Sequence, residues 1–213
     1  YNEHAASFAA VGWQVQDTAA DTNVYVHPNN PDGRLWSRAS LLGNHKKLTI
    51  IDESFCDTAP EYSHVNLASQ PGFVVLKGLG KFWGLAGLRL GFAIANPETI
   101  ATINQILGPW PISGPAQLIG RLALEDTDWA YNMRTSLAAN ADRLDQIMAS
   151  AGATLPCGTT LFRTYRVANA QNWFKKLASH RILSRIFPYS DTMIRLGLPK
   201  SSDDWLRLQK SLD

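Results

Sequence analysis

Three polar residues stand where an apolar run gives way to a turn: Asn30 in HPNNPDG, Asp52 at the close of LTIID, and Lys81 in GLGKFWG. Taken singly, each has an ordinary explanation. Asn30 and Asp52 suit turns and helix caps, and a lysine is most often solvated at a surface. Taken together they match the needs of a pyridine cofactor that carries an aldehyde. Such a group requires an amine to bond its aldehyde carbon, a carboxylate to keep its ring nitrogen protonated, and a donor for its phenolic oxygen. Gly78, Gly80, Gly84 and Gly87 around the lysine would let backbone approach a flat ring closely. Arg89 adds a planar guanidinium fork that matches a phosphate. Ligands of open α/β sheets gather at the carboxyl ends of strands, which is where Asn30, Asp52 and Lys81 fall.

The elements that must hold them alternate along the chain. A short alanine-rich helix is expected over residues 3–10, a strand at NVYVH (23–27), and a helix over 33–46. LTIID (48–52), FVVLK (73–77) and LRLGFAIA (88–95) read as strands. Their unalternating apolar runs are those of a mixed or parallel sheet covered by helices on both faces. The pattern turns helical over 97–107 and again, as one long helix, over 115–150. TLFRTYRV, a helix around 171–179, ILSRIF, TMIRLGL and a last helix from Ser201 then form a smaller α+β unit. Proline and glycine concentrate in GPWPISGP, which places the domain boundary there: residues 1–110 and 111–213.

The order HPNNPDG, IIDESF, GKFWGLAGLRLGF resembles that of fold-type I pyridoxal-phosphate enzymes in the class I/II aminotransferase group. Within that group GKFWGLAGLRLGFA, GPWPISGPAQ, TTLFR and IRLGLP are most similar to the cobalamin-biosynthesis L-threonine-O-3-phosphate decarboxylases. The resemblance covers essentially the whole chain. It implies an α/β fold of the fold-type I architecture, with a mixed, mostly parallel sheet, a smaller C-terminal α+β domain, and pyridoxal 5'-phosphate as cofactor. By that likeness Lys81 bonds the cofactor and shuttles the proton, Asp52 pairs with the ring nitrogen, Asn30 with the ring oxygen and Arg89 with the phosphate. Arg195 in MIRLGLP would receive the substrate α-carboxylate, and Arg185 in ILSRIF would be a second substrate arginine.

The implied reaction is decarboxylation of L-threonine O-3-phosphate to aminopropanol phosphate by a homodimer, with transamination of the histidinol-phosphate type as the alternative. Two positions depart from the pattern. Gly78 stands where the family has a serine or threonine on the phosphate, and Phe55 where many aminotransferases have a tyrosine. The family's glycine-rich phosphate loop and ring-stacking aromatic are expected upstream of YNEHAASF, so the large domain is expected to be incomplete over this stretch.

Composition narrows the rivals. With 213 residues, 45% of them hydrophobic, the chain can bury a core. Twenty Lys+Arg against 18 Asp+Glu, without long basic runs, point to a small-molecule ligand rather than nucleic acid or a membrane surface. Cys56 and Cys157 form no CxxC pair, which suits a reducing, cytoplasmic setting. No metal is expected: the five histidines show no paired metal spacing and are assigned surface or capping roles. Ser113 lacks the surroundings of a hydrolase nucleophile. Trp36, Trp110, Trp129, Trp173 and Trp205 are assigned to packing, and Trp83 to packing or the edge of the cofactor pocket. A reading of another class, an inactive paralogue or fragment that serves as a binding protein, is disfavoured by the joint presence of Lys81, Asp52, Asn30 and Arg89.

Overall fold

The computed structural model describes residues 2–16 and 20–212. Cα packing divides them into two compact units, one of residues up to Asn30 and Arg34–Thr127, the other of Pro31–Gly33 with Asp128 onward.

In the first unit, β1 (Thr22–Val26), β2 (Leu48–Asp52) and β3 (Phe73–Gly78) run parallel in chain order, and β4 (Gly91–Ile94) returns antiparallel beside β3. The result is the expected mixed, mostly parallel sheet. Helix α1 (Asn2–Ala10) precedes it and α2 (Arg38–Gly43), α3 (Pro97–Leu107) and α4 (Gly114–Glu125) follow the connections. The core gathers Leu41, Ile51, Leu67, Ala68, Phe73 and Val75, with Tyr25, Trp36 and Ile94 against it. Each of the last three helices begins where its N-cap side chain takes an orphan backbone N–H: Ser37 from Ser40, Asn96 from Thr99, Ser113 from Ala116.

The structure corrects three expected elements. The helix foreseen over 33–46 shrinks to Arg38–Gly43. The residues before it form a turn, in which Asn29 N–H donates to Arg34 O, Trp36 N–H to His27 Nδ1 and Trp36 Nε1–H to Val26 O. The strand foreseen over 88–95 begins only at Gly91, because Ala86–Leu88 is a 3-10 turn and Arg89 is left-handed. The long helix over 115–150 is two helices, broken at Asp126, whose φ −81 and ψ 74 leave the helical region.

The second unit packs α5 (Thr127–Ser150), α6 (Ala170–Ser179) and α7 (Ser202–Leu212) with an antiparallel sheet ordered β5-β6-β8-β7. Its strands are β5 (Thr154–Thr159), β6 (Phe162–Arg166), β7 (Arg185–Phe187) and β8 (Ser190–Gly197). Leu144, Met148, Tyr165, Leu177, Ile194, Trp205 and Leu208 form the core. Asp145 of α5 holds β6 through a bidentate pair with Arg163 (2.9 and 2.7 Å) and accepts from the Tyr165 hydroxyl at 2.7 Å.

The tripeptide Pro31–Gly33 belongs to this unit by its bonds. Thr164 Oγ1 donates to Pro31 O at 2.7 Å and Gly158 N–H to Asp32 O at 3.2 Å. Gly33 has φ +70, and a Cβ there would lie 2.0 Å from Gly158 O. Both the dihedral and the space demand glycine. Gly33→Ala should therefore lower stability by roughly 2 kcal/mol or more, read as a fall in the urea midpoint with the slope unchanged. A variant as stable as the parent would show that the tripeptide does not make this contact in solution.

Candidate functional site

Parallel register brings the strand ends together. Val26 pairs with Asp52 and Asp52 with Leu76, so β1, β2 and β3 finish at one edge of the sheet. Asn30 lies in the turn after β1, Asp52 ends β2, and Lys81 lies in the turn after β3. Antiparallel β4 enters from the same edge, Gly91 opposite Gly78, with Arg89 just ahead of it. All four residues proposed from sequence to contact the cofactor thus occupy one edge.

Asp52 is nearly buried, at 6% exposure. Its Oδ2 is 2.7 Å from His4 Nε2, and its Oδ1 accepts from the backbone N–H (2.9 Å) and hydroxyl (2.5 Å) of Ser54. Burial alone would raise its pKa. The hydrogen bonds from His4 and Ser54, with the charge of His4, outweigh burial and hold the carboxyl below its ordinary value. It is an anion at neutral pH.

Lys81 is exposed, its Nζ 5.5 Å from the centroid of the Phe55 ring. Phe55 belongs to the turn that Asp52 opens, so the amine and the carboxylate project over one short segment. Neighbouring Phe82 turns inward, 4% exposed, and Trp83 Nε1 donates to Asp57 at 2.8 Å. Arg89 has φ 53 and ψ 33, uncommon for a residue with a side chain, and its Nη1 donates to Ala86 O at 3.2 Å. A left-handed arginine held beside strand ends marks a place where function is worth seeking. At Gly78 a Cβ would meet nothing nearer than Leu90 O at 3.9 Å, so the missing side chain is not enforced by crowding.

In the second unit Arg185 and Arg195 face each other directly across β7 and β8. Arg195 is half-buried beneath the Phe162 ring, 5.1 Å from its centroid, whereas Arg185 is exposed. Burial first, then the neighbouring Arg185 charge, lowers the Arg195 pKa from its ordinary value.

Sequence reasoning missed His4, a histidine in an alanine-rich helix with no motif around it. The surface or capping roles assigned to the histidines also need correction. His27 is 1% exposed, accepting from Trp36 N–H at Nδ1 (3.0 Å) with Nε2 2.9 Å from Tyr62 O; His64 Nε2 lies 2.8 Å from Trp36 O. These are internal turn-fixing groups. Among the described residues no group of three His, Cys, Asp or Glu could hold a metal, and no helix is long and apolar enough to cross a membrane. A cavity of about 1160 Å³ follows β1, lined by His4, Phe8, Trp13, Val24, Lys47 and others; Lys81 is not among its lining residues.

Comparison with known proteins assigns the chain to a family. The family model "Aminotransferase class I and II" matches residues 19–206, and the chain belongs to that family. It is similar to the threonine-phosphate decarboxylases of Pseudomonas aeruginosa and of a Sinorhizobium species. They are 32% and 33% identical to all of this chain, which spans 69% and 68% of their lengths. In fold it is similar to the histidinol-phosphate aminotransferase of Sinorhizobium meliloti in complex with pyridoxal-5'-phosphate. That likeness has a TM-score of 0.79 at 21% identity, over 91% of this chain and 57% of that one.

The Asp52 shift has a measurable consequence. A carboxyl whose folded pKa is depressed contributes stability above its unfolded value of about 3.9, and loses it as pH falls through the folded pKa. Asp52→Asn should be less stable than the parent at pH 6 by about 1–3 kcal/mol, and the gap should close below pH 4. Urea midpoints measured from pH 6 to 2.5 check this; a gap independent of pH would show that Asp52 is not held as an anion.

Proposed function

We propose that the protein is a pyridoxal 5'-phosphate enzyme that decarboxylates L-threonine O-3-phosphate to aminopropanol phosphate and carbon dioxide. The observation that carries the cofactor reading is the ionised Asp52 and the exposed Lys81 amine at the ends of adjacent parallel strands. The donor set fits: an amine to bond the aldehyde, a fixed anion for the ring nitrogen, Asn30 for the ring oxygen and Arg89 for the phosphate. Alignment of two threonine-phosphate decarboxylases with the whole chain favours that substrate.

When bound, the cofactor supplies an electron sink for the pair left at Cα as a bond there breaks. The chain's own residues do the rest. Asp52, kept anionic by His4 and Ser54, keeps the ring nitrogen protonated. Arg195 binds the substrate carboxylate, and Arg185, opposite it across β7 and β8, a second anionic group. Lys81 returns a proton to Cα after the carboxylate leaves as carbon dioxide. Which bond to Cα would break is set by how the substrate carboxylate is held, so the arginines would choose the outcome through orientation. The working form is proposed to be a cytoplasmic homodimer.

Borohydride reduction after incubation with pyridoxal phosphate should leave one adduct, on Lys81, absent from Lys81→Ala. Labelling spread over surface lysines would reject the site. With threonine phosphate the protein should release carbon dioxide and leave the cofactor in its aldehyde form. Pyridoxamine phosphate and an oxo acid would instead establish the aminotransferase reading, which a 39% identity to a histidinol-phosphate aminotransferase over 63% of this chain supports. Gly78→Ser should be tolerated, since a Cβ there makes only an ordinary contact with Leu90 O at 3.9 Å, and should tighten cofactor binding about tenfold by adding one hydrogen bond to the phosphate. An unchanged dissociation constant, measured by fluorescence titration, would place the phosphate elsewhere.

A further inference from the structure

The turn that carries Lys81 is tied at two points to a single carboxylate. Asp57 Oδ1 accepts from Lys77 Nζ at 2.9 Å, on β3 before the turn, and Asp57 Oδ2 accepts from Trp83 Nε1 at 2.8 Å, after Lys81. Lys77 also lies 3.1 Å from Glu53, the residue after Asp52. Glu53 is fully buried and accepts from the Ser63 hydroxyl at 2.6 Å and from His64 N–H at 2.5 Å. Backbone bonds close the same turn, from Leu85 N–H to Leu79 O at 2.9 Å and from Gly84 N–H to Lys81 O at 3.0 Å. Phe82 anchors it inward and meets Trp83 edge-on at 5.1 Å.

We infer that Asp57, Lys77 and Trp83 are positioning residues that clamp the Lys81 turn to the loop following Asp52, fixing where the Lys81 amine meets its electrophile. The inference rests on the cofactor reading above. A lysine alone on a glycine-rich turn would sample many positions, and covalent capture depends on near-attack geometry. The clamp removes backbone freedom on both sides of Lys81 and leaves its side chain exposed to move. It also distinguishes the two neighbouring lysines. Burial by itself would lower the Lys77 pKa, but the bonds and charges of Asp57 and Glu53 raise it above the ordinary lysine value, so Lys77 stays an ammonium ion and does not compete for an aldehyde.

Trp83→Phe deletes the indole donor and keeps an aromatic ring, so it is the clean test; Asp57→Ala is the second variant. In the protein without cofactor, amide exchange at residues 79–85 should quicken about tenfold in Trp83→Phe, the worth of one hydrogen bond to a carboxylate, with Thr49 and Ile51 of β2 unchanged. At saturating pyridoxal phosphate the rate of borohydride-trapped adduct at Lys81 should fall by a similar factor. Noncovalent affinity, compared in Lys81→Ala with and without Trp83→Phe, should change less than about twofold, because the clamp sets capture rather than binding. Unchanged exchange in the turn, or exchange that rises equally in β2, would overturn the inference. Should the parent protein give no Lys81 adduct, the cofactor reading fails while the exchange data still decide whether the clamp exists.

Discussion

A carboxylate that must stay ionised while nearly out of water sets the conditions for much of the first unit. Left alone, a buried carboxyl would take up a proton rather than keep its charge. Asp52 keeps it because three donors converge on it, two from Ser54 in the next turn and one from His4 on α1. The site therefore needs more than β2. It needs α1 seated where His4 reaches the strand end, and a turn after Asp52 tight enough to bring Ser54 back onto it.

The next residue meets the same problem. Consecutive residues of an extended chain point to opposite sides, and Glu53, fully buried, has a separate donor set of Ser63, His64 and Lys77. Two adjacent carboxylates thus hold two different parts of the unit, α1 through the first and the loop with β3 through the second. His27 extends the pattern. It accepts at Nδ1 from Trp36, which leaves Nε2 to donate to Tyr62 O, so the ring is neutral. Burial, the leading influence, lowers its pKa in the same direction. Polar groups inside this unit work in fixed protonation states.

The strands LTIID and FVVLK were legible because buried parallel strands need continuous β-branched and aromatic runs, and Asn30, Asp52 and Lys81 were legible because they interrupt such runs. The boundaries that failed were decided by contacts the sequence does not display. Trp36 bonds to His27 and to β1, which holds the chain in a turn where its composition favoured helix. Arg89 adopts a left-handed backbone that local propensity disfavours, which delays β4. Asp126 looks like one more polar residue on a helical face, yet its backbone breaks the helix. His4 was invisible for a related reason: its importance lies in a partner 48 residues away, and nothing in NEHAAS announces it.

The sheet of the second unit shows how the same residue type is put to different uses. Arg163 is saturated by Asp145 in a two-point fork, and those hydrogen bonds, stronger than the opposing effect of burial, raise its pKa. It cannot leave that partner without stranding a carboxylate beside Tyr165, so its task is to join α5 to β6. Arg185 and Arg195 are set differently, directly opposite each other across β7 and β8, so that burial is joined by the Arg185 charge in lowering the Arg195 pKa. A guanidinium held in a fork joins two elements, whereas two set at one level of a sheet keep their charges in register, and it is on that register that the substrate role proposed for Arg195 draws.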